Sequence, residues 1–98
     1  MTDDLSAARL FARMHTAKLR WIPSKGEWQI RHGKRWRTAS KEEVALAAYA
    51  TADKLLRDAV NSDDELEFKA AQRARSRAGL SGMVAVAKPL LAQIKIPK

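Results

Sequence analysis

The spacing of apolar residues changes from helical to strand-like and back again along the chain. The first segment has apolar positions at the i, i+3, i+4, i+7 spacing that marks one face of a helix. Thr2 or Asp3 can cap this helix, since a short polar side chain accepts from the first free backbone N–H groups. The pattern predicts a helix over residues 3–17. Its apolar face consists of Ala7, Leu10, Phe11 and Met14.

All three tryptophans lie in the next segment, where the helical spacing stops. Pro23, Gly26 and Gly33 interrupt this segment, and the short runs between them are rich in Trp and Ile, as strands are. We predict an antiparallel meander over residues 19–38. Its strands are expected near 19–22, 27–31 and 34–38, with turns at 23–26 and 32–33.

The second turn decides which way the tryptophans face. A two-residue His32-Gly33 loop would place Trp36 on the face opposite Trp28. A three-residue loop from Arg31 to Gly33, with Gly33 in the left-handed conformation, would pair Trp28 with Trp36 on one face. We favour the three-residue loop, because an alternating strand sends one whole face inward. Trp28 and Trp36 would then pack on the helices. The outward side chains would be Gln29, Arg35 and Arg37.

Two helix starts carry the capping-box pattern, in which a Ser precedes a Glu by three residues. Ser40 with Glu43 is followed by a long apolar stripe, and Ser62 with Glu65 is followed by a narrower, alanine-rich stripe. The pattern therefore predicts two consecutive helices. They are expected over residues 41–60 and 62–78.

The last part of the chain is predicted to hold one more helix. Gly79 suits the end of the helix before it, Ser81 can start the next, and Pro89 ends or kinks that helix. This gives a helix over residues 81–88 and a basic tail over residues 89–98. With 98 residues, the chain is expected to form a single small domain. The predicted fold class is α+β and mostly α, with a three-stranded antiparallel meander packed on about four helices.

The charge of the chain indicates which class of partner it binds. The net charge is +8 and the isoelectric point is about 10.3, which favours a polyanionic partner, nucleic acid first and an anionic membrane second. Residues 18–41 and 68–98 each carry a net +7, whereas residues 42–67 carry a net −6. A fold that gathers the two basic blocks would present a cationic face with an acidic back. The alternative is that the blocks neutralise each other across helix contacts.

Most catalytic chemistry is unsupported by the residues present. The chain has no cysteine, and its two histidines, His15 and His32, lack metal-binding spacing. The serines at predicted helix starts are better explained as caps than as nucleophiles. Neither nucleotide-binding glycine pattern occurs. We therefore expect no enzyme activity, no metal and no cofactor. No apolar run reaches the length of a membrane span, and the first residues lack a secretion signal, so we expect a cytoplasmic protein without membrane contact.

The remaining chemistry is that of binding. Cations on the predicted hairpin and a second arginine cluster could contact phosphates, with a strong dependence on salt. Trp21, beside Pro23, is the better candidate for an exposed ring that stacks on a base. We expect DNA, single-stranded or double-stranded, as the partner. The candidate nucleic-acid-binding residues are Trp21, Lys25, Arg31, Lys34, Arg35, Arg37, Arg73, Arg75 and Arg77.

One stretch resembles a known family. The pattern L-R-W-I-P-x-x-G-x-W-x-I-x-x-G-x-x-W-R runs from Leu19 to Arg37 and is similar to the accessory N-terminal helical region of phage and plasmid primase–helicases. The arginine-rich turn at Arg75-Ser76-Arg77 adds to the likeness, which covers about residues 5–92. The family often has aspartate before the hairpin glycine, where this chain has His32, so this hairpin is more cationic.

The resemblance implies a place in DNA replication. In such proteins the region sits between a primase-like module and a ring-forming superfamily-three ATPase, helps to handle DNA or couples the modules, and leaves catalysis to its neighbours. We expect a non-catalytic DNA-binding accessory domain of a phage or plasmid replication protein, with primase or helicase modules as partners. The alternative is a protein–protein or oligomerisation module, a homo-oligomer included, in which the acidic helix 42–67 docks on a basic surface of a neighbour.

Overall fold

A computed structural model describes residues 4–92 of the chain. Within them the fold is α+β and mostly helical, as predicted, with one three-stranded antiparallel sheet in the order β1-β2-β3. The predicted caps Thr2 and Asp3 and most of the predicted basic tail lie outside the described residues. The elements are α1 (Asp4–His15), β1 (Leu19–Ile22), β2 (Glu27–His32), β3 (Arg35–Thr38), α2 (Lys41–Ser62), α3 (Glu65–Ala74) and α4 (Arg77–Leu90).

The first predicted capping box is confirmed at the start of α2. The Glu43 backbone N–H donates to the Ser40 hydroxyl over 3.1 Å, and the Ser40 backbone N–H donates to the Glu43 carboxylate over 2.9 Å. This reciprocal pair satisfies two donors that a helix start otherwise leaves without partners. It fixes the point at which the chain leaves the sheet and enters the longest helix.

The second predicted capping box is wrong. Ser62 is the last residue of α2, and Asp63 ends that helix in the left-handed conformation with φ of 57°. Asp64 caps α3 instead, since its carboxylate accepts from the backbone N–H groups of Leu66 and Glu67. A carboxylate at this position also complements the positive end of the helix dipole.

The break between α3 and α4 also differs from the prediction. Ser76 caps α4, with its hydroxyl accepting from the Gly79 backbone N–H, so neither Gly79 as a stop nor Ser81 as a start is correct. Gly79 lies in the first turn of α4, and a Cβ atom there would come within 2.4 Å of the Arg73 carbonyl oxygen and 2.9 Å of the Ala74 Cα atom. The glycine is needed because α4 starts directly against the end of α3. Pro89 lies inside the last turn of α4, and the helix ends at Leu90, two residues beyond the predicted end at residue 88.

The sheet register corrects the favoured arrangement of the tryptophans. His32 pairs with Arg35, Ile30 with Arg37 and Arg31 with Trp36, so the loop consists of Gly33 and Lys34 only. Gly33 has φ of +64° and Lys34 has no positive φ, as in a type II′ turn with glycine at the first central position. Trp28 and Trp36 therefore lie on opposite faces of the sheet, and the predicted three-residue loop is wrong.

The helices pack on the sheet face that carries Trp28. The Trp28 side chain is 8% exposed, which confirms its predicted burial, and its ring meets the buried Phe11 ring edge-on at 5.9 Å between centroids. Leu19, Trp21 and Ile30 share this face. Phe11, Met83 and Thr51 are the largest fully buried side chains, so the core lies where α1, α2 and α4 meet the sheet.

The backbone that follows α4 returns to the sheet. The Trp21 backbone N–H donates to the Leu91 carbonyl over 2.9 Å, and Ala92 forms a parallel bridge with Trp21. The edge of β1 is therefore occupied at its centre, whereas β3 forms the other edge of the sheet. In the part of the chain that the structure covers, no helix is long and apolar enough to cross a membrane.

Candidate nucleic-acid interface

The sheet has an open face on the side away from the helices. Pairing places seven side chains on it, and none of the seven is buried. Trp36 stands opposite Arg31 on this face, and the Arg20 guanidinium lies over the Trp36 ring at 4.3 Å from its centroid. We call this surface the open face. It consists of Arg20, Ile22, Glu27, Gln29, Arg31, Trp36 and Thr38.

Hydrogen bonds hold the polar side chains of the open face in place. Arg20 Nε donates to Gln29 Oε1 over 2.9 Å, and Gln29 Nε2 donates to Glu27 Oε2 over 3.1 Å. The Thr38 hydroxyl donates to the same Glu27 oxygen over 2.8 Å. The bonds from Thr38 and Gln29 lower the pKa of Glu27, so this carboxylate stays charged. The network positions the Arg20 guanidinium over the Trp36 ring.

The tip of the β2–β3 hairpin carries three predicted phosphate ligands, of which Arg31 lies on the open face, Lys34 in the turn and Arg35 on the opposite face. Arg31, Lys34 and Arg35 are all exposed. Arg31 Nε donates to the Gly33 carbonyl oxygen over 2.9 Å, which stiffens the turn. None of the three has an ion-pair partner within residues 4–92. Their charge is therefore free to meet an anion, and whether they bind DNA remains a prediction.

The sequence predicted that Arg37 faces outward and can contact phosphates, but in the structure Arg37 is held in an ion pair. It shares the face of Ile30 rather than that of Gln29, so it points to the helix side. Its guanidinium binds Glu43 in a bidentate pair, with Nη1 at 2.9 Å from Oε1 and Nη2 at 2.6 Å from Oε2. The hydrogen bonds from Arg37 and from the Ser40 backbone lower the pKa of Glu43 to about 2. Arg37 therefore fastens the edge strand to the cap of α2.

Trp21 is also less available than predicted. Its side chain is only half-exposed and meets the Trp28 ring edge-on at 5.4 Å between centroids. Lys88 Nζ lies over the Trp21 ring at 4.4 Å from its centroid. A base could stack on this ring only after Lys88 moved away.

The second arginine cluster lies at the α3–α4 junction, away from the hairpin tip. Arg75 pairs with Asp53 of α2 at 3.4 Å, and Arg73 and Arg77 are exposed on either side. Asp53 lies ten residues after Glu43 on α2, which separates the two pairing points by about 15 Å along the helix axis. Part of the acidic block therefore neutralises part of each basic block.

Lys25 stands apart from the other candidates. It lies in the β1–β2 turn, at the opposite end of the six-residue strand β2 from the Gly33-Lys34 turn. The two turns are separated by about 20 Å along the strand. Of the predicted site, Arg31 alone lies on the open face, and Lys34 lies in the turn at its end, whereas Arg35 pairs with His32 on the face of Ile30 and Arg37.

Arg31 is the one residue of the open face that the predicted site contains, and the arginine and the tryptophan that form the cation–π contact there were both missed. Arg20 and Trp36 were assigned no binding role, because the expected register placed the Trp36 ring in the core. The signal that could have found them is the Gly33-Lys34 dipeptide, since glycine followed by any residue suits a two-residue type II′ loop. That loop places Trp36 opposite Arg31 and beside Arg20.

His15 of α1 is held in a hydrogen-bonded contact with α2. His15 Nε2 lies 3.1 Å from the Ala47 carbonyl oxygen and 3.2 Å from the Thr51 hydroxyl oxygen. Because the Thr51 hydroxyl donates to Ala47, its oxygen is left to accept from His15 Nε2–H. Burial lowers the pKa of His15, which favours this neutral ring. Within residues 4–92, no three His, Asp or Glu side chains are grouped so that they could hold a metal ion.

The fold and this surface define a small, mostly helical α+β module with an open sheet face that carries Arg20, Arg31 and Trp36 and a cationic hairpin tip beside it. Residues 8–97 match the family described as D5 N terminal like, and the chain belongs to that family. The family is the N-terminal region of phage and plasmid primase–helicase proteins related to D5, which confirms the resemblance seen in the sequence. Comparison with curated proteins and comparison with solved structures each found no match.

Proposed function

We propose that this region of a primase–helicase replication protein binds DNA through the open face and the adjoining hairpin tip, without catalysing a reaction itself. The observation that carries the proposal is the Trp36 ring, which lies against Arg20 on a sheet face that no helix of residues 4–92 covers. At the adjoining hairpin tip are three cations without ion-pair partners in the same part of the chain. Primase and helicase modules are the proposed partners, and the cytoplasm is the proposed compartment.

The geometry favours single-stranded over double-stranded DNA. An aromatic ring on a sheet surface offers a base a face on which to stack, and bases in a duplex are already stacked on each other. The backbone phosphates of such a strand would be contacted by Arg31 on this face and by Lys34 and Arg35 at the hairpin tip. We expect binding without strong sequence preference, because stacking and phosphate contacts are both tolerant of base identity.

The phosphate contacts are tested with the double variant Lys34→Ala/Arg35→Ala. Binding of fluorescently labelled single-stranded DNA should weaken, and the slope of log affinity against log salt should become less negative by about 1.4. The matched control is Arg57→Ala/Lys69→Ala, which removes the same charge from exposed positions on α2 and α3. Equal loss in the two variants would show that only net charge matters and would reject the assigned surface.

The stacking contact is tested with Trp36→Ala. Each stacked base is worth about 1–3 kcal/mol, so affinity for single-stranded DNA should fall by about 5-fold to 150-fold. Duplex DNA should lose much less affinity, because a phosphate contact does not need the ring. Circular dichroism would verify that the fold persists. If wild-type protein binds neither form of DNA at low salt, the proposed function is wrong.

The alternative, a protein–protein module, is favoured by a different part of the molecule. The acidic segment at the α2–α3 corner carries Leu66, an apolar side chain that the fold leaves exposed. This feature does not contribute to the open face, and the two functions can coexist.

A further inference from the structure

A groove of about 560 Å³ opens between the β1–β2 turn, the first two turns of α2 and one side of α4. Its lining is mainly apolar, and its volume lies within the range of small-molecule pockets. The largest apolar side chains in the lining are Trp21, Trp28, Val44, Leu80 and Val84. Two of these five are indoles, so the lining suits a flat aromatic occupant.

Each of the three elements around the groove carries a lysine. Lys25 lies in the β1–β2 turn, Lys41 begins α2, and Lys88 lies in the last turn of α4. Lys41 and Lys88 line the groove, and neither has an ion-pair partner within residues 4–92. Glu27 is the one acid among the lining residues that the structure describes, and its carboxylate accepts hydrogen bonds from two neighbours on the open face. A fitting occupant therefore carries negative charge beside its aromatic part.

The groove adjoins the open face at the β1–β2 turn. Glu27 belongs to both surfaces, and Gly26 beside it also lines the groove. A DNA strand that leaves the open face at this turn would therefore reach the groove directly. Lys25 lies in the same turn, so a candidate that stands apart from the hairpin tip is placed on this route.

We propose that the groove takes one unstacked base of a single-stranded DNA, with the phosphates beside that base on Lys25, Lys41 and Lys88. This inference rests on the proposed function, because it assigns a second subsite to the strand that the open face binds. The three lysines belong to three different elements, which suits the spaced phosphates of a strand. A free nucleoside triphosphate concentrates its charge at one point and is commonly held by a glycine-rich loop, which the sequence lacks.

Lys88 controls access to the Trp21 ring. Its Nζ lies over that ring, 4.4 Å from the centroid. A cation–π contact at a partly exposed site is weak, whereas a hydrogen bond between an ammonium group and a phosphate is charge-assisted and stronger. A phosphate at the groove therefore draws Lys88 away from the ring and uncovers the ring for the base.

The base is detected by tryptophan fluorescence in the variant Trp36→Phe. This variant keeps an aromatic ring on the open face and leaves Trp21 and Trp28 as the indoles of the chain, both of which line the groove. Single-stranded DNA of about 12 nucleotides should quench their fluorescence, because a base then stacks in the groove. Duplex DNA of the same length should quench it much less, because its bases are already paired and stacked.

The groove is tested by adding Ala45→Glu to Trp36→Phe. Ala45 is an exposed lining position, so the fold should persist, and the new carboxylate repels phosphates at the groove. Half-maximal quenching should then need at least about fivefold more single-stranded DNA. The matched control is Ala50→Glu, which makes the same change of charge at an exposed position of α2 outside the groove lining. Equal loss in both variants would show that only net charge matters and would reject the groove.

A fluorescent label on the DNA separates this inference from the proposed function. If labelled single-stranded DNA binds Trp36→Phe without quenching its indoles, the groove is wrong and the proposed function stands. If the wild-type protein binds no single-stranded DNA at low salt, both are wrong. If a nucleoside triphosphate quenches the indoles of Trp36→Phe at lower concentration than the strand does, the occupant is a free nucleotide, and the route of the strand into the groove is rejected.

Discussion

Trp28 combines a buried ring with an indole N–H that has no hydrogen-bond acceptor within residues 4–92. The ring packs against Phe11 and Trp21, and these contacts stabilise the sheet on the helices. A buried donor without a partner costs about 1–3 kcal/mol. The two effects oppose each other at a single side chain, so substitutions at this position can separate them.

We expect Trp28→Ala to lower the free energy of unfolding by about 3–5 kcal/mol, because it leaves a large cavity. Trp28→Phe keeps a ring and removes the unpaired donor, so its loss should be smaller, at about 1–2 kcal/mol. Urea denaturation of the two variants measures both values. A Phe variant as unstable as the Ala variant would show that the indole N–H has an acceptor or that the outer ring carries most of the packing.

The ionisation of Glu43 makes the stability of the fold depend on pH. Its pKa is about 2 in the folded state, against about 4.3 in an unfolded chain. A carboxyl with a lowered pKa stabilises the fold above the unfolded value, and that contribution is lost as the pH falls from about 5 towards 2. Glu43→Gln retains the capping-box pattern but removes the charge that binds Arg37.

The stability difference between wild type and Glu43→Gln should therefore be largest near neutral pH and should shrink between about pH 5 and 2. Denaturation midpoints at several pH values measure it. Glu42→Gln is the matched control, since it removes the same charge from the neighbouring exposed position in the first turn of α2. A difference that does not change with pH would mean that the Arg37 pair contributes nothing to folding.

At the scale of elements, the α3–α4 junction depends on one glycine. Replacing Gly79 with Ala would improve intrinsic helix propensity by about 1 kcal/mol. The added Cβ, however, meets the backbone of Arg73 and Ala74, which cannot move without separating the two helices. The tertiary contact outweighs the local preference here.

We expect Gly79→Ala to destabilise the protein by about 1–3 kcal/mol through overpacking, despite the better helix propensity. Thermal denaturation followed by circular dichroism measures the change. A variant as stable as wild type would show that α4 can shift away from α3 at little cost.

The starts of the helices show where sequence reasoning was sufficient and where it was not. Ser40 was a reliable helix start because a proline- and glycine-punctuated segment precedes it and a long apolar stripe follows. Between residues 61 and 82, several Ser, Asp and Gly residues stand close together, and each could cap or end a helix. In the structure Asp64 and Ser76 are the caps, and the close approach of α3 and α4 at Gly79, which bears on the second, is not visible in local spacing.

The open face, too, was predictable from the sequence only in part. The strands and the cationic hairpin were predictable from alternation and from Pro23, Gly26 and Gly33. The faces were not, because the favoured three-residue loop is one residue longer than the two-residue loop that forms, and this difference turns every side chain of β3 to the other face. Arg35, Arg37 and Trp36 were therefore assigned to the wrong faces, although their positions in β3 were expected.

At the scale of the whole molecule, the two edges of the sheet differ. The Trp21 backbone N–H is bonded to Leu91, whereas pairing directs the Trp36 backbone N–H to the free edge of β3. Both residues are half-exposed tryptophans on outer strands, which makes them a matched pair. Their amides should therefore report how firmly each edge is held.

We expect the Trp21 amide to exchange with deuterium at a rate close to that of the core, and the Trp36 amide to exchange quickly. Nuclear magnetic resonance on protein transferred to heavy water measures both rates. Fast exchange at Trp21 would show that the backbone after α4 leaves the sheet in solution.

The bond between Trp21 and Leu91 has a mechanical consequence. Tension applied to the backbone beyond Ala92 reaches two elements at once. It acts on β1 through the bond between Trp21 and Leu91, and on α4 through the chain itself, because the Leu91 backbone N–H caps that helix. Sheet and helix would then move together, and Trp36 would turn with the sheet.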